Sequence, residues 1–336
     1  MKRPWLAPLV PLCAAGVALR DLRLRRGWEP VRKLAYPVLS IGNLSAGGAG
    51  KTPLAIALAQ LLAHRGFHID ILSRGYGRTS TQPMRVDPEG TAQLFGDEPL
   101  QMARAGIPVY VAPQRYDAGL LAEKNAAVQY DSASGHSPSA HILDDGFQHR
   151  QLARDLDILL LNREDWQDTL LPAGNLREPL RSAARAHVLA IPAEDPTLEA
   201  DLRASGLKTP IWRIHRQMNV PACDGPIAAF CGIARPGQFF AGLEAKGSKL
   251  VLRRAFSDHH RYSAADLEKL AAEARAAGAT ALITTEKDAV RIGPSPQTLH
   301  GLPLRIVTLA VHIEGENQAA NWLVERLMRA SQRCAL

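Results

Sequence analysis

Two groups of residues in this chain have the types and spacing that phosphate chemistry requires. The first is a glycine-rich stretch that ends in Lys51 and Thr52, and a helical apolar pattern begins at Leu54. Glycines let backbone N–H groups surround a phosphate chain at a helix N-terminus, where the helix dipole favours anions. Lys51 would then reach the β- and γ-phosphates, and the Thr52 hydroxyl would bind Mg2+. The predicted ATP-binding residues are Ser45, Ala46, Gly47, Gly48, Ala49, Gly50, Lys51 and Thr52.

This stretch departs from the strict pattern G-x4-G-K-[ST] at its first position, where the chain has Ser45. The predicted strand before it and the predicted helix after it still favour a P-loop. A P-loop class that partitions or positions cargo carries a lysine just before the paired glycines, and here that position is Ala46. The alternative interpretation is a glycine-rich turn that happens to contain Lys51 and Thr52.

The second group is His141-Ile-Leu-Asp144-Asp145-Gly-Phe-Gln148-His149, a short apolar strand followed by two carboxylates. A hard divalent cation prefers oxygen ligands, and nucleotide sites form at the carboxyl ends of parallel strands. Asp144 and Asp145 are therefore predicted to bind Mg2+ together with Thr52. By itself, Asp-Asp-Gly is only a turn, so this prediction depends on the P-loop upstream.

The elements that must position these groups follow an α/β pattern. Short apolar runs alternate with helical patterns from residue 36 onward, which is typical of βαβ units and a mostly parallel sheet. The predicted strands in the first half are 37–41, 68–72, 108–111, 141–143, 156–161 and 187–191, and the predicted helices include 51–64 and 116–127. A second series of strands and helices begins at residue 226. We therefore expect a P-loop NTPase-like domain (35–220) and a smaller C-terminal α/β domain (221–336) that closes the active-site cleft.

Composition and charge narrow the possible partners. The 336 residues are 46% hydrophobic and 22% charged, which is ordinary for a globular protein, and the net charge of +7 favours anionic partners. Nucleic acid is not expected, because no recognisable nucleic-acid-binding signature is present, and no protein partner is implied. The four cysteines are scattered without C-x2-C spacing, which suits a reducing cytosol.

The first 34 residues form a separate segment, predicted to be membrane-associated. Residues 5–19 are apolar, and basic residues flank them on both sides. About 15 apolar residues are fewer than the roughly 20 that span a bilayer, so we expect an interfacial anchor whose arginines face anionic lipid. The alternative is a helix that packs on its own domain. The arginines concerned are Arg20, Arg23, Arg25 and Arg26.

Several motifs, taken together, resemble the tetraacyldisaccharide 4'-kinase family, the lipid A 4'-kinases of Gram-negative bacteria. The P-loop of this family also lacks the first strict glycine, so Ser45 agrees with the resemblance. The motifs occur in family order between about residue 35 and residue 292: Ser40-Ile-Gly-Asn-Leu-Ser-Ala-Gly-Gly-Ala-Gly-Lys-Thr-Pro53, Ser73-Arg-Gly-Tyr-Gly-Arg78, Gly96-Asp-Glu-Pro99, Leu143-Asp-Asp-Gly-Phe-Gln-His149, Pro172-Ala-Gly-Asn-Leu-Arg-Glu-Pro179, Phe256-Ser-Asp-His-His260 and Thr285-Glu-Lys-Asp288.

The resemblance implies transfer of the ATP γ-phosphate to the 4'-hydroxyl of a tetraacylated glucosamine disaccharide 1-phosphate, which forms lipid IVA in lipid A biosynthesis. ATP and Mg2+ are the implied cofactors. The acceptor is a lipid, so the resemblance also implies peripheral contact with the inner membrane, at its cytoplasmic face, in a Gram-negative bacterium.

The same resemblance implies catalytic residues. Asp97 would accept the proton of the sugar hydroxyl, His259 would orient or tune Asp97, and Lys51 would serve the phosphates. The structural alternatives are a helix N-terminus for Asp97 and, for Asp258-His259-His260, a surface loop or a chance metal-like cluster. Weaker candidates for substrate contact, which could instead cap helices or pair with one another, are Arg74, Tyr76, Arg115, Gln148, Arg177 and Glu178.

Two other functions fit the P-loop. A membrane-associated ATPase or GTPase switch would use Asp144 and Asp145 for Mg2+ and a protein contact in place of an acceptor. No Asn-Lys-x-Asp guanine-reading motif is present, which argues against GTP. A membrane-bound scaffold that only senses nucleotide would leave Asp97 and His259 without a purpose.

Overall fold

A computed structural model of the chain describes residues 3–47, 50–130, 137–293 and 297–334. The strands are β1 Val38–Asn43, β2 His68–Ser73, β3 Met84–Arg85, β4 Val109–Val111, β5 Ser139–Asp144, β6 Leu156–Leu160, β7 Val188–Pro192, β8 Ile211–Asn219, β9 Ile227–Cys231, β10 Leu250–Ala255, β11 Ala281–Thr285, β12 Thr298–Leu299 and β13 Leu302–Ile313. The α-helices are α1 Val10–Arg25, α2 Lys51–His64, α3 Ala92–Phe95, α4 Asp97–Arg104, α5 Arg115–Tyr130, α6 Arg163–Trp166, α7 Pro196–Ala204, α8 Pro236–Ala245, α9 Ala264–Ala276, α10 Glu286–Ile292 and α11 Glu316–Cys334. Short 3-10 helices occupy Pro4–Leu9 and Leu180–Arg185.

Within the described residues, all the strands join one sheet in the order β10-β9-β11-β13-β8-β7-β6-β1-β5-β2-β4-β3, with β12 paired to β13. The strands from β4 to β8 along this order are parallel. Every residue of β1 is buried, as expected for a parallel strand covered by helices on both faces. The mixed α/β fold with a mostly parallel sheet predicted from the sequence is confirmed.

The parallel arrangement places the predicted chemistry at one edge of the sheet. The carboxyl ends of β1, β2, β4 and β5 meet there, and the P-loop, Arg74, Arg115 and Asp145 follow these four ends directly. The six strands predicted in the first half are all present, with ends shifted by at most two residues. Helix α2 begins at Lys51 and ends at His64, as predicted.

An antiparallel ribbon of β8 and β13 joins the two halves of the sheet. The two strands pair from Thr308 opposite Asn219 to Ile313 opposite Ile214. Strand β8 was not predicted. In the second series the sequence predicts a strand over residues 304–309, and β13 extends beyond it at both ends. The sheet therefore continues across residue 220, and the division into domains at that residue stays a prediction.

Helix α11 returns from the C-terminal half to the core of the first half. Leu323 and Leu327 are fully buried in the same hydrophobic cluster as Leu58 of α2. The Trp322 ring also packs edge-to-face on Trp212, with 5.6 Å between centroids. The last helix thus helps to hold the P-loop helix against the sheet.

The N-terminal residues form one continuous helical segment over Pro4–Arg25, 22 residues long with mean hydropathy 1.4. By length and composition alone this segment is long and apolar enough to cross a membrane, a test that a signal sequence near the N-terminus also passes. The helical segment is longer than the apolar run of residues 5–19 that the sequence indicated. No residue of α1 is buried. Its large exposed apolar side chains, with those of the residues next to it, are Trp5, Leu9, Leu12, Leu19, Leu22, Trp28 and Val31.

Candidate active site

The P-loop lysine lies between an amide and a carboxylate. Its Nζ donates to Oδ1 of Asn43 at 3.0 Å and lies 3.3 Å from Oδ1 of Asp145. Gly50, just before Lys51, has φ of +83°, a conformation that glycine adopts without strain. A side chain at Gly50 would also meet the guanidinium of Arg216, because a Cβ there would lie 3.0 Å from Nη2. Strand β1 and helix α2 therefore hold Lys51 over the carboxylate that follows β5.

The remaining predicted ATP-binding residues are placed as follows. The Ser45 hydroxyl accepts a hydrogen bond from the Asn43 side chain at 3.0 Å, and Thr52 is buried at the first turn of α2. Gly47 has φ of +141°, and the backbone N–H of Ala46 donates outside the P-loop. Gly48 and Ala49 lie outside the described residues.

A second segment, residues 172–179, runs beside the P-loop, and we call it the bracing loop. Ala46 N–H donates to the carbonyl of Asn175 at 2.8 Å, and Arg177 N–H donates to the carbonyl of Leu44 at 2.7 Å. Ser45 and Leu176 form a bridge between these two contacts. The bracing loop thus fixes the first half of the P-loop by backbone hydrogen bonds.

The two adjacent carboxylates after β5 have different surroundings. Asp144 is 2% exposed, and its Oδ2 accepts from the Ser73 hydroxyl at 3.1 Å. Burial, followed by the charges of Glu98 and Asp145, raises the pKa of Asp144 to about 7. Burial also opposes ionisation of Asp145, but Lys51 and Arg177 outweigh it and hold the pKa of Asp145 below its usual value. Arg177 Nη1 donates to Oδ2 of Asp145 at 2.8 Å.

These carboxylates fit Mg2+. Oδ1 of Asp144 and Oδ1 of Asp145 are both buried, and neither accepts a hydrogen bond. In the part of the chain that the structure describes, no three or more His, Cys, Asp or Glu side chains form a metal cage. Mg2+ commonly binds through one or two carboxylates, with substrate phosphates and water completing the shell. A site of this partial kind is what Thr52, Asp144 and Asp145 offer.

Positive charge surrounds the two carboxylates. Burial lowers the pKa of Arg115, and the nearby charges of Arg74 and Arg177 lower it further, against the opposing effect of Asp144 and Asp145. Burial and then the charges of Arg115, Arg154 and Arg74 lower the pKa of His149 to about 4. Three predicted substrate arginines are therefore gathered near Asp144 and Asp145: Arg115 from the start of α5, and Arg74 and Arg177 from two separate loops.

Asp97 and His259 meet across the two halves of the chain. Nδ1 of His259 lies 3.1 Å from Oδ2 of Asp97, and Nε of Arg291 donates to the same oxygen at 2.6 Å. Burial opposes ionisation of Asp97, but His259 and Arg291 outweigh it and hold the pKa of Asp97 below its usual value. The hydrogen bond with Asp97 in turn raises the pKa of His259. The structure brings the two residues together; their catalytic role stays a prediction.

The Thr285-Glu-Lys-Asp288 motif connects α10 to α4 and anchors Arg291. Lys287 Nζ lies 2.7 Å from Glu98 Oε1, and the Gln101 side chain donates to Glu286 at 3.3 Å. Asp288 is fully buried and accepts from Arg291 Nη1 at 3.1 Å. This motif, whose role the sequence left open, therefore packs the two halves together around Asp97.

Two of the weaker candidates, Tyr76 and Gln148, have different surroundings. Tyr76 is 80% exposed, and its ring lies edge-to-face with that of His259 at 6.1 Å, a position open to a substrate. Gln148 donates to the carbonyl of Asn43 at 2.9 Å and accepts from Arg177 at 3.4 Å, so it links the P-loop to that arginine.

Glu178 differs from all the other candidates. It is 0% exposed, and both carboxylate oxygens are occupied, one by Arg20 and the other by Arg185. A buried carboxylate with both oxygens engaged has no surface to offer a substrate. The direct substrate contact predicted for Glu178 is thus unsupported by its position, which suits a structural role.

Sequence reasoning missed three side chains that shape the site. Asn43 binds Lys51, Glu98 pairs with Lys287 beside Asp97, and Arg291 binds Asp97 directly. Each belongs to or adjoins a quoted motif, so proximity to a motif was the signal available. The spacing of Asp288 and Arg291, one helical turn apart, indicates a pair on one helix face.

Comparison with known proteins gives one consistent result. A family model described as tetraacyldisaccharide-1-P 4'-kinase matches residues 2–328. The tetraacyldisaccharide 4'-kinase of Koribacter versatilis is 40% identical over 335 residues, covering 96% of this chain and 98% of that protein. The protein of the same name from Rhodopseudomonas palustris strain BisA53 is 38% identical over 339 residues, covering 97% and 93%.

A solved structure is similar over the same extent. LpxK from Aquifex aeolicus, in complex with ATP, superposes with a TM-score of 0.75 at 31% sequence identity. The match covers 96% of this chain and 98% of that chain. The likeness therefore includes both halves of the sheet and the ribbon that joins them.

Proposed function

The chain belongs to the tetraacyldisaccharide-1-P 4'-kinase family, and we propose that it phosphorylates a lipid A precursor. It transfers the γ-phosphate of ATP to the 4'-hydroxyl of a tetraacylated glucosamine disaccharide 1-phosphate, forming lipid IVA. The observation that carries this proposal is the position of the P-loop lysine, whose Nζ lies 3.3 Å from the Asp145 carboxylate. The same chain pairs Asp97 with His259 at 3.1 Å, as an acceptor base and its partner would be placed.

The phosphates of ATP bind at residues 45–52, with Lys51 at the β- and γ-phosphates. Thr52, Asp144 and Asp145 hold Mg2+, which neutralises charge on the transferred group when bound. Lys51 also balances Asp145 before nucleotide binds, because the two side chains are 3.3 Å apart. The lysine is thus already held in place for phosphate binding by polar side chains and not by apolar packing.

The acceptor hydroxyl gives its proton to the Asp97–His259 pair as its oxygen bonds to the γ-phosphorus and ADP leaves. The two groups share one hydrogen bond, which lowers the pKa of Asp97 and raises that of His259. Arg291 keeps Asp97 ionised and fixes its orientation. Since Asp97 lies in α4 and His259 follows β10, the C-terminal half completes the site by closing over the first half.

The arginine cluster of Arg74, Arg115 and Arg177 serves the anionic groups of the reaction. A planar guanidinium suits the developing charge of the γ-phosphate or the 1-phosphate of the lipid. Tyr76 lies beside His259 and contacts the sugar. Gln148 orients Arg177 and the P-loop, in agreement with its two hydrogen bonds.

The acceptor is a lipid, so the enzyme works at a surface, and α1 supplies the contact. Its apolar side chains are exposed, and none of its residues is buried. We place the chain peripherally at the cytoplasmic face of the inner membrane of a Gram-negative bacterium. Removal of residues 1–26 should lower sedimentation with anionic vesicles; equal sedimentation of the truncated and full chains would contradict the anchor.

One experiment separates the kinase from a nucleotide switch. ADP release by the purified chain should depend on added tetraacyldisaccharide 1-phosphate in detergent micelles, and the product should carry one more phosphate by mass. ATP hydrolysis that is indifferent to the disaccharide, or stimulated only by a protein, would overturn the proposal.

A further inference from the structure

Glu178 is a buried carboxylate that no step of the reaction uses. It belongs to the bracing loop and is 0% exposed. One oxygen accepts from Arg20 of α1, and the other accepts from Arg185 at 2.6 Å. Its partner Arg20 lies 158 positions away in the sequence, on the helix with the exposed apolar side chains.

The N-terminal segment holds the bracing loop at a second point. Arg3 N–H donates to the carbonyl of Ala173 at 2.6 Å, near the other end of the loop. Arg3 and Arg20, which lie just before and within the N-terminal helical segment, therefore contact both ends of residues 172–179.

The opposite side of the bracing loop holds the phosphate site. Its backbone bonds to the P-loop at Leu44 and Ala46, and Arg177, which precedes Glu178, binds Asp145 at 2.8 Å. Asp145 in turn lies 3.3 Å from Lys51. An unbroken series of contacts thus runs from Arg20 through Glu178 and Arg177 to Asp145.

We propose that the Arg20–Glu178 ion pair is a positioning contact for phosphate transfer, through which α1 fixes the bracing loop and so sets Asp145 against Lys51. The helix that meets lipid is then also a structural part of the phosphate site. This inference rests on the proposed kinase function, and it assigns to Glu178 a positioning role in place of substrate contact.

The surroundings of Glu178 allow the contact to be tested without burying an unpaired charge. If Arg20 is replaced, Arg185 still pairs with Glu178. Arg185 is itself held over the Phe147 ring, with its guanidinium carbon 4.6 Å from the ring centroid. Arg20→Met should therefore loosen the loop on the α1 side while the fold survives.

The helix also offers a matched control. Asp21, the next residue, joins α1 to the body through Arg150 at 2.8 Å and also lies 3.5 Å from the Arg20 guanidinium. Among the described residues, its ion pairs are with these two arginines and not with the bracing loop. Asp21→Asn weakens the docking of the same helix at a different point. A difference between Arg20→Met and Asp21→Asn therefore isolates the route through Glu178 from the general attachment of α1.

The full-length variants are assayed with the disaccharide lipid in detergent micelles, without vesicles, so that membrane binding does not limit turnover. We expect Arg20→Met to lower kcat about tenfold and to raise the Mg2+ concentration for half-maximal activity, since small misplacements of reacting groups cost rate steeply. Glu178→Gln should act in the same direction, and Asp21→Asn should stay near wild type. Arg20→Lys, which keeps the charge, should recover part of the loss.

A double-mutant comparison supplies the decisive readout. If Arg20 acts through Arg177, the variant with both Arg20→Met and Arg177→Met should be little slower than Arg177→Met alone. Fully multiplicative losses, or an Arg20→Met kcat and Mg2+ response equal to those of Asp21→Asn, would overturn the inference. Failure of the kinase proposal is a separate result, because the wild-type chain would then be inactive on the disaccharide.

Discussion

Strand β5 carries a buried ionisable residue near each end, and the two differ in how completely their surroundings satisfy them. At its start, His141 is fully buried, with Nδ1 2.6 Å from Asp70 and Nε2 3.4 Å from Glu123. At its end, Asp144 has one oxygen bound by Ser73 and the other without a partner. We call the His141 end of β5 the closed end, because both ring nitrogens have carboxylate partners. We call the Asp144 end the open end, because one carboxylate oxygen has no partner.

The pKa values of the two side chains reflect this difference. Burial favours the neutral ring of His141, but Asp70 and then Glu123 outweigh it and raise its pKa to about 9. Burial, and then the charges of Glu98 and Asp145, raise the pKa of Asp144 to about 7, because Lys51 only partly compensates them. A closed charge network stabilises the fold, whereas an uncompensated carboxylate at the carboxyl edge of a sheet is poised for a cation.

The largest effect on turnover should come from the open end. Lys51→Ala should lower kcat about 10³-fold, because the side chain stabilises developing phosphate charge, and Thr52→Ala should also abolish most turnover. The melting temperature should change little, since Asp145 keeps Arg177 as a partner. Steady-state kinetics and thermal melting check both statements; a large fall in melting temperature would make these positions structural.

The next largest effect on kcat should come from Asp97 and His259, the pair that joins the two halves of the chain. Asp97→Ala and His259→Ala should each lower kcat about 10²-fold or more, with ATP affinity near wild type. Because they act as one unit, the double variant should be little worse than the poorer single variant. A normal kcat for Asp97→Ala would leave the mechanism without its base, and multiplicative losses would show that the two act independently.

The carboxylates at the end of β5 should affect the metal response. Asp145→Ala and Asp144→Ala should each raise the Mg2+ concentration for half-maximal activity at least about tenfold, a cost typical even of losing a residue that only supports a ligand. Mg2+ titrations of initial rate provide the measurement. Unchanged titration curves for both variants would remove them from the metal site.

How far the sequence predicts this molecule depends on the range of the contacts involved. Local patterns sufficed for α2, because Lys51 and Thr52 mark where the helix starts, and for the buried strands, because apolar runs bound them. Strand β8 was missed because Arg213, His215 and Arg216 give it no apolar run. It forms between β7 and β13, the latter about 90 residues later in the chain, and no local pattern indicates that pairing.

The site shows the same limit. The P-loop and Asp144 could be predicted from motifs, and resemblance named Asp97 and His259. Arg291 could not be assigned to Asp97, because the two are 194 positions apart. Glu178 was predicted to contact substrate because it lies in a loop after a candidate strand, whereas its buried pairing with Arg20 depends on how α1 docks. Charged residues in loops reveal their role only when their distant partners are known.

The last prediction concerns the closed end of β5. The pKa of His141 in the folded chain, about 9, lies above its usual 6.5, so protonation stabilises the fold. That contribution is fully present below pH 6.5 and is lost as pH rises through about 9. The shift corresponds to about 3 kcal/mol at most. Chemical denaturation of the wild-type chain should therefore give a free energy of unfolding that falls between pH 6.5 and 9.

His141→Gln should be less stable than wild type at pH 6 and should lose most of this pH dependence, while kcat stays near wild type because His141 lies at the opposite end of β5 from Asp144. The exposed His64 at the end of α2 supplies the matched control, since His64→Gln removes an imidazole without touching the network. Two results would contradict this prediction: a wild-type free energy of unfolding that does not change between pH 6.5 and 9, or a His141→Gln variant that keeps the wild-type pH dependence. Either would show that protonation of His141 does not stabilise the fold. A fall in the kcat of His141→Gln would show that the closed end of β5 also affects catalysis, contrary to the comparison of the two ends.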